Sequence, residues 1–401
     1  MARILLCWEL GGGLGHLTPL QQISKYYIQQ GHEVWLASKD VAKVRRVFAD
    51  LPVKLLQAPF TENSRELGVE KQAASGFADL LRRVGYHDEL ALTGLVQAWQ
   101  TLLGLVKPDL ILIDHSPTAL LASRGMAVPK IAVGSGFSTP DDNSPVGLFF
   151  HNEIAKKNAL QAEEGVLRII NQVCLTQKIP TLSSLRDLFS QQEFCLTRNY
   201  SELDHYGYRS HSQRRDFVYV GSDAGTFGEL VDFPHYKGPK VFCYLKPCPE
   251  LPVLLKTLQS IECSAIVVTA GVPKALIEAH RAKHIVFSDV PVNMQHVIER
   301  ATLGVLNAGM NTTAQFLKAG IPVALLPLHV EQLLVARRVE ALKAGCLLNL
   351  QSVETAVASL NRAYSSQAKT CAAIFADKYK DFDPQRELMK ELAAIEERYL
   401  R

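Results

Sequence analysis

The chain lacks the features that would set it apart from ordinary globular proteins. None of its apolar runs approaches 18 residues, so the sequence predicts no transmembrane helix. The early run ILLCW is interrupted by Glu9 and then by glycines, which indicates a first core strand and not a signal peptide. Apolar residues make up 47% and charged residues 21% of the 401 residues, a composition and length that suit two or three globular domains.

Cysteine is present but follows no pattern. The eight cysteines are scattered, without a CxxC pair or a spacing typical of zinc ligands. Cys7, Cys195 and Cys243 lie in apolar runs and are expected to be small buried residues. Scattered cysteines of this kind favour a reducing compartment, so we expect a cytoplasmic protein.

A strong charge of either sign is also missing. The net charge is +3 and the pI is about 8.3, which is too mild to predict nucleic-acid binding. The arginine pairs are dispersed, as on solvated faces, although contact of one pair with phosphates or an anionic membrane surface is a second reading. His280 and His284 have helical spacing but no third ligand nearby, so we expect no metal site.

Short apolar segments alternate with helical patterns along most of the chain. A first series of strands is predicted at 3–8, 33–37, 53–57, 110–114, 130–134, 193–197 and 216–221. A second series follows at 240–245, 265–269, 285–287, 302–306 and 322–327. Helices between such strands predict parallel sheets covered on both faces. The predicted fold class is therefore α/β, with two facing Rossmann-like, doubly wound domains and a cleft between them.

Changes in composition suggest the domain bounds. Residues 1–222 are predicted to form the N-terminal domain, and 223–239 a linker. Residues 240–380 would form the C-terminal domain. Residues 381–401 would form a last helix after the break at Pro384, and one option is that this helix returns to the N-terminal domain.

The segment from Asn307 to Gln332 is the strongest functional signal. A strand runs into the turn Asn307-Ala308-Gly309, a helix begins near Asn311, and a second strand leads to a polar pair. Unpaired N–H groups at a helix start attract phosphate, and a glycine allows close approach of a ligand. The residues of this predicted site for a sugar diphosphate are Asn307, Gly309, Asn311, Thr312, Thr313, Glu331 and Gln332. Lys246, after the strand at 240–245, could add charge near a diphosphate or be a surface lysine.

A second candidate site follows the first strand. The glycine-rich turn after Glu9 leads to His16, and the fourth strand ends at Asp114. Because these strands are neighbours in a doubly wound sheet, the two side chains can meet as a His–carboxylate pair. Such a pair fixes the tautomer of a general base. Taken singly, His16 also fits a helix cap or loop residue, and Asp114 fits an N-cap.

The same turn superficially matches a dinucleotide fingerprint. With Gly11 and Gly13 as the first two glycines, His16 stands where the third glycine should pack against the strand. The glycines are instead expected to open a wide loop, with the helix beginning near Pro19. A Rossmann oxidoreductase is therefore the weakest of the readings.

These motifs resemble those of family 1 glycosyltransferases of the glycosyltransferase-B fold, which include UDP-glucuronosyl/glucosyltransferases and bacterial natural-product glycosyltransferases. The matching residues are Gly15-His16-Leu17-Thr18-Pro19, the strand Pro108–Asp114, the segment 307–315, Glu331-Gln332 and Pro291. The resemblance implies that His16 deprotonates an acceptor hydroxyl. It also implies that Pro291 and the 307–332 residues hold the donor. Asn307 and Gln315 depart from the family pattern, where His contacts the diphosphate and Glu the ribose.

The resemblance implies an inverting, metal-independent transfer from a UDP- or dTDP-sugar, with no other cofactor. The acceptor would be a hydroxyl-bearing small molecule or glycolipid. Its contacts are expected at Gly13, Gly15, His115 and Phe137, although the aromatic residues of this region equally fit a core. The departures at 307 and 315 keep a non-catalytic nucleotide-sugar-binding protein as an alternative. A nucleotide-sugar epimerase is a third reading, and the oligomeric state is left open.

Overall fold

The computed structural model describes residues 1–12, 14–61, 74–207, 209, 211–212, 215–223, 228–269 and 271–401. The chain divides into two compact units. The first comprises Met1–Arg198, Tyr208–Val220 and Gln385–Arg401, and the second comprises Asn199–Gly207 and Gly221–Pro384. The segment Asn199–Gly207 and the predicted linker 223–239 therefore both cluster with the second unit.

The first unit is built on an eight-stranded sheet in the order β3-β2-β1-β4-β5-β6-β8-β7. Its strands are β1 (Arg3–Trp8), β2 (Glu33–Ser38), β3 (Lys54–Gln57), β4 (Leu110–Asp114), β5 (Lys130–Gly134), β6 (Phe194–Thr197), β7 (His211–Ser212) and β8 (Arg215–Tyr219). All neighbours pair in parallel except β7 with β8. The order reverses between β1 and β4, and such a switch point is where open α/β sheets bind ligands.

Helices connect and cover these strands. They are α1 (Leu14–Gln29), α2 (Val41–Val47), α3 (Phe77–Leu81), a π-helix (Arg82–Tyr86), α4 (Glu89–Val106), α5 (Pro117–Ala122), α6 (Glu153–Gln177) and α7 (Arg186–Phe189). The last helix of the chain, α15 (Pro384–Leu400), buries Leu388, Leu392 and Ile395 in the same core as β1 and β4. Their spacing of three and four residues gives one apolar helix face.

The second unit has a six-stranded parallel sheet in the order β11-β10-β9-β12-β13-β14. Its strands are β9 (Lys240–Tyr244), β10 (Ser264–Val268), β11 (Ile285–Ser288), β12 (Leu303–Leu306), β13 (Val323–Leu325) and β14 (Gly345–Leu347). Its helices are α8 (Leu251–Ser260), α9 (Lys274–Ala279), α10 (Met294–Ile298), α11 (Met310–Lys318), α12 (Val330–Ala341), α13 (Val353–Ala363) and α14 (Ser366–Lys378), with a 3₁₀ turn at Ser201–Leu203. The switch point lies between β9 and β12.

Two predicted helices have different bounds in the structure. Helix α1 begins at Leu14, five residues before Pro19, so His16 lies in its first turn and not in a wide loop. Pro19 removes one backbone donor from this helix without ending it. The sequence pattern of residues 182–189 also predicts a helix, but the helix in the structure is only Arg186–Phe189, because Asp187 accepts hydrogen bonds from the N–H groups of Ser183 and Ser184 and holds them in a turn.

Candidate functional site

His16 and Asp114 lie together at the switch point of the first sheet. The Nδ1 atom of His16 is 3.0 Å from each carboxylate oxygen of Asp114. The His16 side chain is 20% exposed and that of Asp114 is 3% exposed. A carboxylate on Nδ1 favours the tautomer with its proton on Nδ1, so Nε2 is the nitrogen that can accept a proton. The Trp8 ring stacks on the imidazole at a centroid distance of 5.5 Å.

Two glycines make room for this pair. A Cβ built on Gly11 would lie 2.5 Å from His16 Nε2, and one built on Gly134 would lie 2.8 Å from Asp114 Oδ1. Both glycines have positive φ, at 81° and 121°, a region that L-residues with side chains rarely adopt. The backbone at the ends of β1 and β5 is therefore shaped around the two side chains.

A buried carboxylate, Glu9, fixes the turn that follows Asp114. Glu9 Oε2 accepts hydrogen bonds from the Thr118 N–H at 3.0 Å and the Ser116 hydroxyl at 3.2 Å, and Oε1 accepts one from the Thr118 hydroxyl at 2.5 Å. Burial raises the pKa of Glu9 to about 7, although these hydrogen bonds lower it. The Leu10 N–H also donates to the His115 carbonyl at 2.9 Å, which ties β1 to the same turn.

The residues predicted to contact an acceptor differ in their surroundings. Gly15 is exposed in the first turn of α1, and Gly13 lies outside the described residues. The ring of His115 is 6.2 Å from that of His16, and burial lowers its pKa to about 3, with the charge of His16 as the second cause. Phe137 is buried against Phe149 and His115. An aromatic cluster thus underlies this side of the dyad, and a direct acceptor contact by Phe137 stays a prediction.

The second unit places a helix start at its own switch point. Gly309 is the N-cap of α11, and the Thr313 N–H donates to its carbonyl at 3.0 Å. The N–H groups of Met310, Asn311 and Thr312 precede the first intrahelical donor, so helix geometry gives them no acceptor within the helix. No described atom lies within 4 Å of a Cβ built on Gly309. This opening and the N–H groups together suit an anion.

The two threonines of this helix start are not equivalent. Thr312 is half-buried, whereas Thr313 is 0% exposed and its hydroxyl has no hydrogen-bond partner among the described residues. Gln315 is 9% exposed, and its Nε2 donates to the Asp223 carbonyl. Its Oε1 is buried without a partner in the described part of the chain, so this oxygen could accept a hydrogen bond from a ligand hydroxyl.

Asn307 uses its side chain to join three strand ends. Its Oδ1 accepts a hydrogen bond from the Lys246 N–H at 2.7 Å, and its Nδ2 donates to the Leu326 carbonyl at 2.8 Å. The Lys246 side chain is exposed, and its charge is the second cause, after burial, of the lowered pKa of His329. The positive charge of the Lys246 amine therefore reaches the start of α12, where His329 is the N-cap.

Glu331 and Gln332 lie in the first turn of α12. Gln332 Oε1 accepts a hydrogen bond from the Leu328 N–H at 2.8 Å and thereby fixes the preceding loop. Glu331 is 29% exposed, and its Oε1 is 3.9 Å from Nε2 of the fully buried His205. Arg338 of the same helix donates to the Glu202 carbonyl at 3.2 Å, which fastens the segment that carries His205.

Pro291 lies in the exposed turn after β11, the edge strand of the second sheet. Its carbonyl accepts a hydrogen bond from the Glu229 N–H at 2.9 Å. A Cβ built on Gly228 would lie 2.6 Å from that carbonyl oxygen, so the close approach of the two segments requires glycine at 228.

The sequence motifs do not predict Glu9, His205 or His329 as residues of the site. Glu9 carried a local signal, since an acidic residue directly after a buried strand is costly unless it has hydrogen-bond partners. His205 and His329 gave no such signal. Among the described residues, no helix is long and apolar enough to cross a membrane. The part of the chain that the structure describes also holds no group of three or more His, Cys, Asp or Glu side chains suited to a metal ion.

Sequence comparisons with known proteins match only a part of the chain. No protein-family sequence profile matches the chain. A stretch of 87 residues is 37% identical to NDP-glycosyltransferase YjiC of Bacillus licheniformis, covering 20% of this chain. The chain matches about a fifth of the length of that relative, 22%.

Solved structures match over nearly the whole chain. CalG4, the calicheamicin glycosyltransferase, is 15% identical with a TM-score of 0.73, over 99% of this chain and 98% of its own. The spinosyn rhamnosyltransferase SpnG complexed with thymidine diphosphate is 15% identical with a TM-score of 0.64, over 98% of this chain and 100% of its own. The chain therefore has the glycosyltransferase-B fold, and the predicted α/β fold class is confirmed.

Proposed function

We propose that the protein is an inverting, metal-independent glycosyltransferase that moves a sugar from a nucleoside-diphosphate sugar to an acceptor hydroxyl. The observation that carries the proposal is the His16–Asp114 pair, with Nδ1 at 3.0 Å from both carboxylate oxygens. A protein that only binds nucleotide sugars has no need of an imidazole held in one tautomer by a buried carboxylate.

His16 is proposed as the general base. Its Nε2 takes the proton of the acceptor hydroxyl as the oxygen attacks the anomeric carbon, and Asp114 stabilises the imidazolium that forms. Attack on the face opposite the diphosphate gives one displacement and inverts the anomeric configuration. Glu9 and the glycines at 11 and 134 keep the pair in place.

The second unit is proposed to hold the donor. The N–H groups at the start of α11 and the Thr312 hydroxyl would stabilise the departing diphosphate without a metal. Glu331, and Gln332 through its Nε2, would hold sugar hydroxyls. The Oε1 atom of Gln315, which has no hydrogen-bond partner in the described part of the chain, suits a ribose hydroxyl. SpnG is described with thymidine diphosphate, which supports dTDP- and UDP-sugars as the first donors to test.

All eight cysteines are free thiols. This supports the proposal that the protein works in the reducing cytoplasm.

A non-catalytic nucleotide-sugar-binding protein is the second candidate. The observation that favours it is the side chain of Asn307, whose Oδ1 and Nδ2 are both hydrogen-bonded to backbone groups. Because of these bonds, one N–H of the amide is left to contact a diphosphate.

Thermal unfolding with a panel of UDP- and dTDP-sugars tests donor binding, because a ligand of the folded state raises its unfolding midpoint. Stabilisation by at least one sugar, followed by sugar transfer or hydrolysis that His16→Ala abolishes, supports the enzyme. Stabilisation without turnover would favour the binding protein. No stabilisation by any member would count against both.

A further inference from the structure

Two neighbouring strands of the first sheet each end in a side chain that contacts His16. Trp8 ends β1 and Asp114 ends β4, and the two residues are register partners in the parallel pair. Register partners on parallel neighbours project from the same face of the sheet. Trp8 is 1% exposed and packs in one core cluster with Leu17 and Leu20 of α1. The indole and the carboxylate therefore both lie beneath the first turn of α1, where His16 is found.

The two side chains contact different parts of the imidazole. The Asp114 carboxylate lies at the ring edge, with both oxygens 3.0 Å from Nδ1 of His16. The Trp8 indole lies over the ring face, with 24° between the two planes and 5.5 Å between the centroids. A hydrogen bond at the edge and a π contact at the face do not compete, and neither uses Nε2. Both can therefore act on the imidazole while Nε2 takes a proton.

The backbone holds the indole in this orientation. Its Nε1 donates a hydrogen bond to the Leu10 carbonyl at 2.7 Å. The Leu10 N–H donates in turn to the His115 carbonyl at 2.9 Å, on the turn that follows β4. The face of an indole carries negative electrostatic potential and attracts a cation within about 6 Å of the ring centroid, more strongly than other aromatic side chains do. Trp8 thus presents a fixed π face to the ring that the proposed reaction would charge.

Other titratable groups also surround His16. The ring of His115 is 6.2 Å away, but burial lowers the pKa of His115 to about 3, so this ring is neutral near neutral pH. Lys39 Nζ donates to a carbonyl of the glycine-rich turn at 2.8 Å and adds positive charge there. The carboxyl groups of Asp114 and Glu9 add negative charge when they are ionised. A test of the stacked indole must therefore leave these four groups in place.

We propose that Trp8 is a positioning residue for the general base, because its indole face stabilises the imidazolium form of His16. As Nε2 takes the proton of the acceptor, the O–H bond breaks, an N–H bond forms and the positive charge spreads over the imidazole. Asp114 then attracts that charge at the ring edge, and Trp8 attracts it at the ring face. The catalytic consequence rests on the proposed function, whereas the protonation of His16 can be measured without a donor.

Fluorinated tryptophan at position 8 tests the π contact with little change of shape. Fluorine withdraws electron density from the indole face and leaves the N–H group that binds the Leu10 carbonyl. Mono-, di- and trifluorotryptophan are introduced by stop-codon suppression. The titration of His16 is followed by NMR of its Cε1–H group, which His16→Ala assigns. We expect the titration midpoint to fall stepwise, by about 0.5–1 pH unit for the trifluorinated ring.

Trp35 provides the matched control. It lies on β2, and its ring centroid is 4.7 Å from Lys54 Nζ, so it has a cation of its own. Trifluorotryptophan at position 35 should leave the titration midpoint of His16 unchanged. A midpoint that stays constant through the series at position 8, or that shifts equally when position 35 is fluorinated, would overturn the proposal.

The pH profile of transfer shows whether the contact matters for the reaction. Because His16 acts as a base, activity rises as the pH passes its midpoint, so trifluorotryptophan at position 8 should move the acid limb of kcat/KM to lower pH by the same amount. The plateau kcat should fall about two- to tenfold, because the imidazolium formed in the transition state is less stable, while donor affinity stays unchanged. Trp8→Phe, which keeps a π face, should retain more of the plateau rate than Trp8→Leu. An acid limb that does not move would contradict the role of Trp8.

The two proposals fail in different ways. A stepwise shift of the His16 midpoint without transfer from any donor would support the Trp8–His16 contact and count against the glycosyltransferase. Transfer that His16→Ala abolishes, together with a constant midpoint in the fluorinated series, would support the glycosyltransferase and overturn the role of Trp8.

Discussion

Replacing Asp114 by Asn tests the dyad with almost no change in shape. The side chain is buried, and Gly134 leaves no space for anything larger beside it. Asparagine can still accept a hydrogen bond from His16 Nδ1, but it removes the negative charge that stabilises the imidazolium.

The distance between His16 Nδ1 and the Asp114 carboxylate determines how much catalysis the substitution should remove. At 3.0 Å and an effective dielectric constant of about 20, a carboxylate and an imidazolium attract by about 5 kcal/mol. The exposed part of His16 and the surviving hydrogen bond reduce the loss to about 3 kcal/mol. We therefore expect kcat to fall by about 100-fold or more, within the range that general bases contribute.

The assay measures release of the nucleoside diphosphate with saturating donor and acceptor, and calorimetry measures donor affinity separately. Asp109→Asn is the matched control, because Asp109 precedes the same strand at its opposite end and accepts a hydrogen bond from the Arg3 N–H at 2.7 Å. We expect the control to be unaffected and donor affinity to be unchanged in both variants. A kcat within about threefold of the wild type in Asp114→Asn would refute the role of the carboxylate.

Three further predictions concern the surroundings of the two sites. Because burial raises the pKa of Glu9 from 4.5 to about 7, the folded state favours its protonated form. The free energy of unfolding should therefore fall by up to about 3 kcal/mol between pH 4.5 and 7 relative to Glu9→Gln, as measured by urea unfolding. Gly134→Ala should destabilise the protein by about 1–3 kcal/mol and reduce transfer more than tenfold, since the new Cβ meets Asp114. Glu331→Ala should weaken donor binding about tenfold in calorimetry and leave the affinity for the free nucleoside diphosphate unchanged, because this residue is proposed to contact only the sugar.

Each of these has an outcome that contradicts it. Parallel pH profiles for the wild type and Glu9→Gln would show that Glu9 is not the group that titrates. Gly31→Ala serves as the control for Gly134→Ala, since Gly31 also has a positive φ, at 81°, but no described atom lies within 4 Å of a Cβ built on it. An equal loss of transfer in both glycine variants would assign the effect to backbone strain alone. Equal weakening of nucleotide and sugar-nucleotide binding would remove Glu331 from the sugar site.

The strands could be predicted from the sequence because they are short apolar runs bounded by turn residues. Both β4 and β5 have the predicted bounds, and their residues are buried throughout. The proximity of His16 to Asp114 followed from strand order, since β1 and β4 are neighbours in a doubly wound sheet. The start of α1 could not be predicted in this way, because glycine and an internal proline both suggest a later beginning.

The surroundings of several other site residues depend on tertiary packing, which a local sequence pattern does not predict. Helical periodicity places Thr313 beside the buried Phe316 and Leu317, so its burial could have been predicted. The approach of His205 to Glu331 could not, because 126 positions separate them and only the fold of the second unit brings them together. The engagement of Asn307 by backbone groups of two other loops is hidden from the sequence for the same reason.

The central claim is that His16 acts as the base of an inverting transfer. The most direct measurement is the anomeric configuration of the product, read by proton NMR from a reaction with a donor that stabilises the protein, in the wild type and in His16→Ala. We expect an inverted anomeric centre in the wild-type product and a rate about 10²–10⁴-fold lower in His16→Ala, with donor affinity preserved. A product with retained configuration, or a His16→Ala variant that transfers sugar at a near wild-type rate, would contradict it.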